Sequence, residues 1–139
     1  MWGMIATWRM ALEGVTEAAA ALASGADTAS AVVNAVAAVE DFPLYKSVGY
    51  GGLPTENGEV ELDAAFMHGD TLAFGAVGNL VDIANPVKVA HALSRQRYNS
   101  LLVVPGRQRV GHKPGIRRQS DADRTRDAAL PEALSRNAG

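Results

Sequence analysis

All eight aromatic residues of this chain lie before residue 105, and no other feature limits its fold so sharply. Residues 1–104 carry five Lys/Arg against eleven Asp/Glu, a net charge of −6, whereas residues 105–139 carry eight against four, a net charge of +4. Only nine of the 35 residues after Val104 are apolar, and five of those nine are alanine. A segment so poor in large apolar side chains cannot offset the conformational entropy lost on ordering it. The sequence predicts one folded unit over residues 1–104 and a basic, disordered tail over residues 105–139. The overall charge of −2 averages two unlike compositions.

The front part has room for a single core. With no cysteine in the chain, disulfide frameworks, thiol nucleophiles and cysteine-ligated metal sites are excluded. No apolar run approaches the ~18 uninterrupted residues of a membrane span. Met1-Trp2-Gly3-Met4 lacks the basic start of a secretory leader. A cytoplasmic protein without a membrane partner is the expectation.

Hydrophobic periodicity places the elements. Met4-Ile5-Ala6-Thr7 reads as a short buried strand. Ala11, Val15, Ala18 and Leu22 then form one helical stripe that Ser24-Gly25 ends. Asp27 is placed to cap a second helix whose apolar face is Ala29, Val32, Val33, Val36 and Val39, stopped at Phe42-Pro43. Ser47 to Gly52 reads as a strand entering a glycine-rich bend, and Asn57-Gly58 as a hairpin turn. Val60, Leu62, Ala64 and Phe66 alternate in the period of a half-buried strand, and Leu72, Phe74 and Ala76 alternate back. Asn85-Pro86 starts a third helix, with Asn85 as cap, Pro86 in the first turn and Val87, Val89, Ala90 and Leu93 inward, and Leu101 to Val104 reads as a last strand. The order implies an α+β fold with helices on a sheet. The strands at Met4 and Leu101 have no obvious local partner.

Spacing alone assembles no catalytic or metal site. His68, His91 and His112 share no ligand spacing and read as unrelated histidines, so no metal is expected. Gly49-Tyr50-Gly51-Gly52 lacks the following Lys-Ser/Thr of a phosphate loop and reads as sharp backbone turns. Asp63 and Asp70 are separated by a turn, with nothing to make their carboxylates converge. Trp8 stands where a strand meets a helix, a position that often faces a cleft but is more often core.

Several separated strings carry a resemblance. They are Ala6-Thr7-Trp8; the helix pair broken at Ser24-Gly25; Ser47-Val48-Gly49-Tyr50-Gly51-Gly52-Leu53-Pro54; Leu62-Asp63-Ala64; Met67-His68-Gly69-Asp70-Thr71; Gly75-Ala76-Val77; and Asn85-Pro86. Each is weak by itself, but their joint order over residues 1–104 resembles the α-chain of the glycosylasparaginase, or type-2 asparaginase, family. His68 departs from the family pattern, which has an acidic residue in this turn. The resemblance implies an N-terminal-nucleophile hydrolase with an αββα sandwich, present here only in part. It implies a small-molecule amide substrate, asparagine or its N4-glycosylated form, and no cofactor. It also implies that Trp8 lines the substrate cleft and that a β-chain half is needed as partner.

In that family a precursor cleaves itself before a threonine in a His-Asp-Thr motif. The freed threonine then uses its own amine as base for its hydroxyl. This sequence contains no His-Asp-Thr. Its threonines are Thr7, Thr16, Thr28, Thr55, Thr71 and Thr125, and Thr125 stands in the polar tail between Arg124 and Arg126. The catalytic nucleophile is therefore expected to be missing, and the chain alone to be inactive.

Two readings of the tail remain. In the first, residues 105–139 are the product of a shifted reading frame. Permitted codons for residues 109–116, read from the second nucleotide, encode EWAISQGF, and residues 117–136 continue into a helical string without a stop. In the second, the chain is a non-catalytic interaction module whose tail, with Arg107, Arg109, His112, Lys113, Arg117 and Arg118 crowded together, contacts nucleic-acid phosphates. The tail has no aromatic residue to stack on bases, which disfavours a nucleic-acid partner.

Overall fold

The computed structural model describes residues 1–103. A 3₁₀ turn over Arg9–Ala11 leads into α1 (Leu12–Ala23), followed by α2 (Thr28–Glu40). A second 3₁₀ turn, Gly49–Gly51, precedes β1 (Leu62–Met67), β2 (Phe74–Leu80), α3 (Pro86–Ser94) and β3 (Leu101–Val103). Helices and a small sheet make the fold α+β. The tail expected over residues 105–139 lies outside the described residues.

Local chemistry sets the helix ends. Gly25, at φ +92°, closes α1 with paired bonds from its own N–H to the Leu22 carbonyl and from Ala26 N–H to the Ala21 carbonyl. That is the pattern by which a left-handed glycine satisfies the last carbonyls of a helix. Asp27 caps α2 as the sequence predicts, its carboxylate accepting from Ser30 N–H at 2.9 Å.

The face of α2 differs from expectation. Its buried residues are Ala31, Val33, Ala35, Ala37 and Glu40, while Val32 and Val36 are 41% and 39% exposed. The reason is close approach: Gly14 of α1 lies against the backbone of Ala35, where a Cβ would overlap the Ala35 carbonyl. The alanine stripe thus packs on α1 in a cluster of Ala18, Ala31 and Ala35, with Met4 and Leu22 at its margin. Val33 and Ala37, on another side, join the main core of Phe66, Val77, Leu80, Ile83, Val87, Val89 and Ala90.

The sheet order is β1-β2-β3. β1 and β2 pair antiparallel, with Met67 opposite Phe74 and Ala64 opposite Val77, then shift register so that Leu62 faces Leu80. The extra residue falls on β2, where Asn79 takes a left-handed φ of +58° and its N–H is accepted by the Asp63 carboxylate at 2.8 Å. β2 continues through α3 into β3, which runs parallel to it with Ala76 opposite Leu101. Leu101–Val103 therefore has the partner that the sequence reading could not find, although Leu101 and Val103 stay exposed.

Three expected strand features differ. Met4 to Thr7 is irregular rather than a buried strand, and Ile5 is 96% exposed, because no strand among the described residues lies beside it to accept pairing. Ser47 to Gly52 folds as a turn around Gly49, at φ +56°, instead of a strand. β2 is buried at Gly75, Ala76 and Val77 in succession rather than alternately, because α3 covers the face that alternation would have left to solvent.

Candidate functional site

Trp8 sits immediately before the Arg9–Ala11 turn in extended conformation, its carbonyl accepting from Ala11 N–H at 3.0 Å. It is 69% exposed, so it is no core residue. Met4 anchors the N-terminal segment on the alanine cluster, and between that segment and α2 lies a groove of about 500 Å³. Ile5, Trp8, Val15, Val32, Val36 and Val48 are among its lining residues. Among the described residues, the side chains in this lining that can hydrogen-bond through O or N are Thr7 and Trp8. Such a surface can hold an apolar or aromatic body and offer two polar contacts, but it supplies no base. A second groove, about 430 Å³, runs along the other side of Val32 and Val36 between α2 and β1, with Leu62, Phe66 and Met67 on one wall and Glu40 in its lining.

The structure adds a polar cluster where α2 ends and α3 begins. Glu40 is only 4% exposed, and its Oε1 accepts from Val87 N–H at 3.1 Å, which satisfies one of the free amides at the start of α3. Its Oε2 is buried without a hydrogen-bond partner among the described residues. Asn85 donates from Nδ2 to Asp41 Oδ1 at 3.0 Å and accepts at Oδ1 from Lys88 Nζ at 2.9 Å. The capping side chain for α3 thus comes from Glu40, forty-seven positions away, and not from Asn85. Burial pushes the Glu40 carboxyl up to about 7, against the opposing pull of Val87 N–H and the Asn85 amide. Sequence reasoning missed this residue; its signal, a Glu at the end of a helix facing an Asn-Pro start, is unreadable without knowing that the two ends meet.

His91 lies on α3 with its ring 4.5 Å from that of Phe66, and Arg95 approaches its Nε2 at 2.8 Å. Burial first, then the Arg95 charge and His68, lower the His91 pKa, while Asp27 opposes them. His112 lies outside the described residues. No group of three or more His, Cys, Asp or Glu capable of holding a metal ion occurs among the described residues. Asp63 is engaged with Asn79, and Asp70 stays exposed in the β1–β2 turn. The glycine-rich bend is a packing device, since Cβ atoms at Gly49 and Gly51 would overlap the backbones of Glu40 and of Pro43 and Tyr45.

The family described as asparaginase matches residues 4–138. The chain is 33% identical to an N(4)-(β-N-acetylglucosaminyl)-L-asparaginase from Elizabethkingia miricola over 117 residues, covering 84% of this chain and 34% of that protein. It is 35% identical to an isoaspartyl peptidase/L-asparaginase from Bos taurus over 121 residues, covering 84% of this chain and 39% of the relative. A plant-type L-asparaginase from Pyrococcus abyssi is 39% identical over 99 residues, which are 68% of this chain and 32% of that one. The chain spans about a third of the length of these curated relatives. No helix among the described residues is long and apolar enough to cross a membrane.

Proposed function

The chain belongs to the asparaginase family, and from that premise we propose that it is the N-terminal part of an amide-hydrolysing scaffold that does not react by itself. The observation that carries this reading is the Trp8 groove, which offers a binding wall and no reacting group. A hydrolase of the N-terminal-nucleophile kind needs a threonine with a free amine, and the His-Asp-Thr that would release one is absent from these 139 residues. The described sheet and helices form one part of an αββα sandwich, and the valine stripe of α2 is where a β-chain half packs. The substrate is the side-chain amide of asparagine or of its N4-glycosylated form. Trp8 lines the cleft for it, no cofactor takes part, and the protein works in the cytoplasm.

The test is direct. The purified chain is assayed with L-asparagine, a β-aspartyl dipeptide and N4-glycosylasparagine, and no turnover is expected. It is then co-expressed with the unmatched two thirds of the Elizabethkingia relative, where turnover is expected to appear and Trp8→Ala to raise KM more than it lowers kcat. Saturable turnover by the chain alone that survives repurification overturns the reading.

A further inference from the structure

We propose that Glu40 is a pH-responsive latch that holds the start of α3 against the end of α2 while its carboxyl carries a proton, and loosens that junction when it ionises. The inference is independent of the amide-hydrolysis reading.

The geometry makes ionisation unfavourable. A carboxylate spreads its charge over two oxygens, and among the described residues only Oε1 has a bonded donor, Val87 N–H. Oε2 is sealed from solvent with no hydrogen-bond partner among the described residues, so the ionised group would leave a charged oxygen both unhydrated and unpaired there. The junction cannot easily move to relieve it, because Gly49 packs directly on the Glu40 backbone.

The charged neighbours do not rescue it. On its own helix end, Asp41 adds repulsion. On α3, Lys88 attracts, but its ammonium is already held by Asn85 Oδ1. The Asn85 amide favours the ionised form but does not outweigh burial, and its Nδ2 bond goes to Asp41. From the sheet side, Glu61 and Asp63 line the same groove and add negative charge, with Asp63 bonded to Asn79 N–H. The 47–49 loop contributes Ser47, Val48 and Gly49 and no charge. Among the described residues, one cation thus faces four carboxyl groups, Glu40 included.

The direction of the effect follows from linkage. The Glu40 pKa lies near 7 in the fold, above the ordinary value of 4.5, so the folded state binds this proton more tightly. Its stabilising contribution is complete below about pH 4.5 and is lost as the pH rises through about 7. α2 carries α1 with it through the alanine cluster, so the helical pair loses this attachment to the sheet on the alkaline side.

The experiment compares the full chain with Glu40→Gln, which keeps an acceptor for Val87 N–H but never ionises. The thermal midpoint of the wild type is expected to fall between about pH 5 and about pH 8, with the fall at least halved in the variant. Every other titratable group is common to both proteins, so the difference isolates Glu40. Superimposable pH profiles overturn the latch. A carbon-13 titration of the wild-type glutamate carboxyls provides a readout that does not depend on the variant folding. A Glu40 midpoint near 7 supports the latch, and one near 4.5 overturns it.

Discussion

Gly75 of β2 lies directly under the Ala90 carbonyl of α3, so close that a Cβ on it would overlap that oxygen and the Ser94 backbone nitrogen. This approach brings α3 onto the sheet and lets Val87 and Ala90 reach Phe66 and Val77 in the main core. Both obstructing atoms are backbone, and neither can step aside as a side chain would.

Gly75→Ala is therefore expected to cost about 3 kcal/mol, the upper end of ordinary overpacking. That is a large part of the ~5–15 kcal/mol that holds a domain together. Urea unfolding of the full chain checks it, with Gly3→Ala as the control, since nothing lies within 4 Å of a Cβ there. Equal midpoints for the two variants would show that α3 does not sit this close.

The two groups of valines on α2 should respond oppositely. Val33 is buried, and Val33→Ala is expected to cost roughly 2 kcal/mol for the two methyl groups and the void. Val32→Lys and Val36→Lys are expected to leave the unfolding midpoint nearly unchanged while lowering the binding of a hydrophobic dye. Dye fluorescence that stays at the wild-type level would mean that some other surface carries the exposed apolar patch.

Acid should act at the opposite end of α2. Hydrogen bonds from Ser30 hold the Asp27 carboxyl below the ordinary aspartate value of 3.8. Its contribution is present above that value and is lost as the pH falls through the lower folded one. Helix content followed by circular dichroism should drop in strong acid, and Asp27→Asn should show a smaller drop. The sign is the reverse of that at Glu40, so α2 is best held at both ends in mildly acidic solution.

The coding DNA around Val104 separates the two readings of residues 105–139. A shifted frame requires an insertion or deletion there whose removal restores a family-like continuation. The family match runs through residue 138, so an in-frame continuation makes the opposite prediction at the same nucleotides. Binding of the full chain and of a 1–104 truncation to duplex DNA at low salt tests the interaction-module reading. Equal, weak binding is expected, and salt-dependent binding that vanishes with the tail would favour the module.

What the sequence made legible was the chemistry that acts over a few residues. Asp27 caps its helix, Gly25 closes the one before it, Asn85-Pro86 opens α3, and Leu62 and Phe66 point inward from β1. Each depends on neighbours within a turn or a strand. Long-range juxtapositions were not legible. Ranking helix faces by hydrophobicity selected Val32 and Val36, whereas contact with α1 selects the smallest side chains, Ala31 and Ala35, because Gly14 invites backbone approach. Three apolar residues from Met4 could not announce that, among the described residues, no strand would lie beside them. At the candidate site, position alone left Trp8 between cleft and core, with core the commoner outcome, and the bond from Val87 to Glu40 joins residues that no local pattern connects.

The division of α2 into separate stripes also orders events in time. Partners of Ala31 and Ala35 (Met4, Ala18 and Leu22) are all encoded upstream of them. The sheet and α3 partners of Val33 and Ala37 are all encoded downstream. A ribosome releasing this chain delivers a helical hairpin that can close at once, while its second stripe waits for strands not yet translated. The hairpin is finished before the sheet exists, and the surface that waits is the one on which the later half of the domain collects.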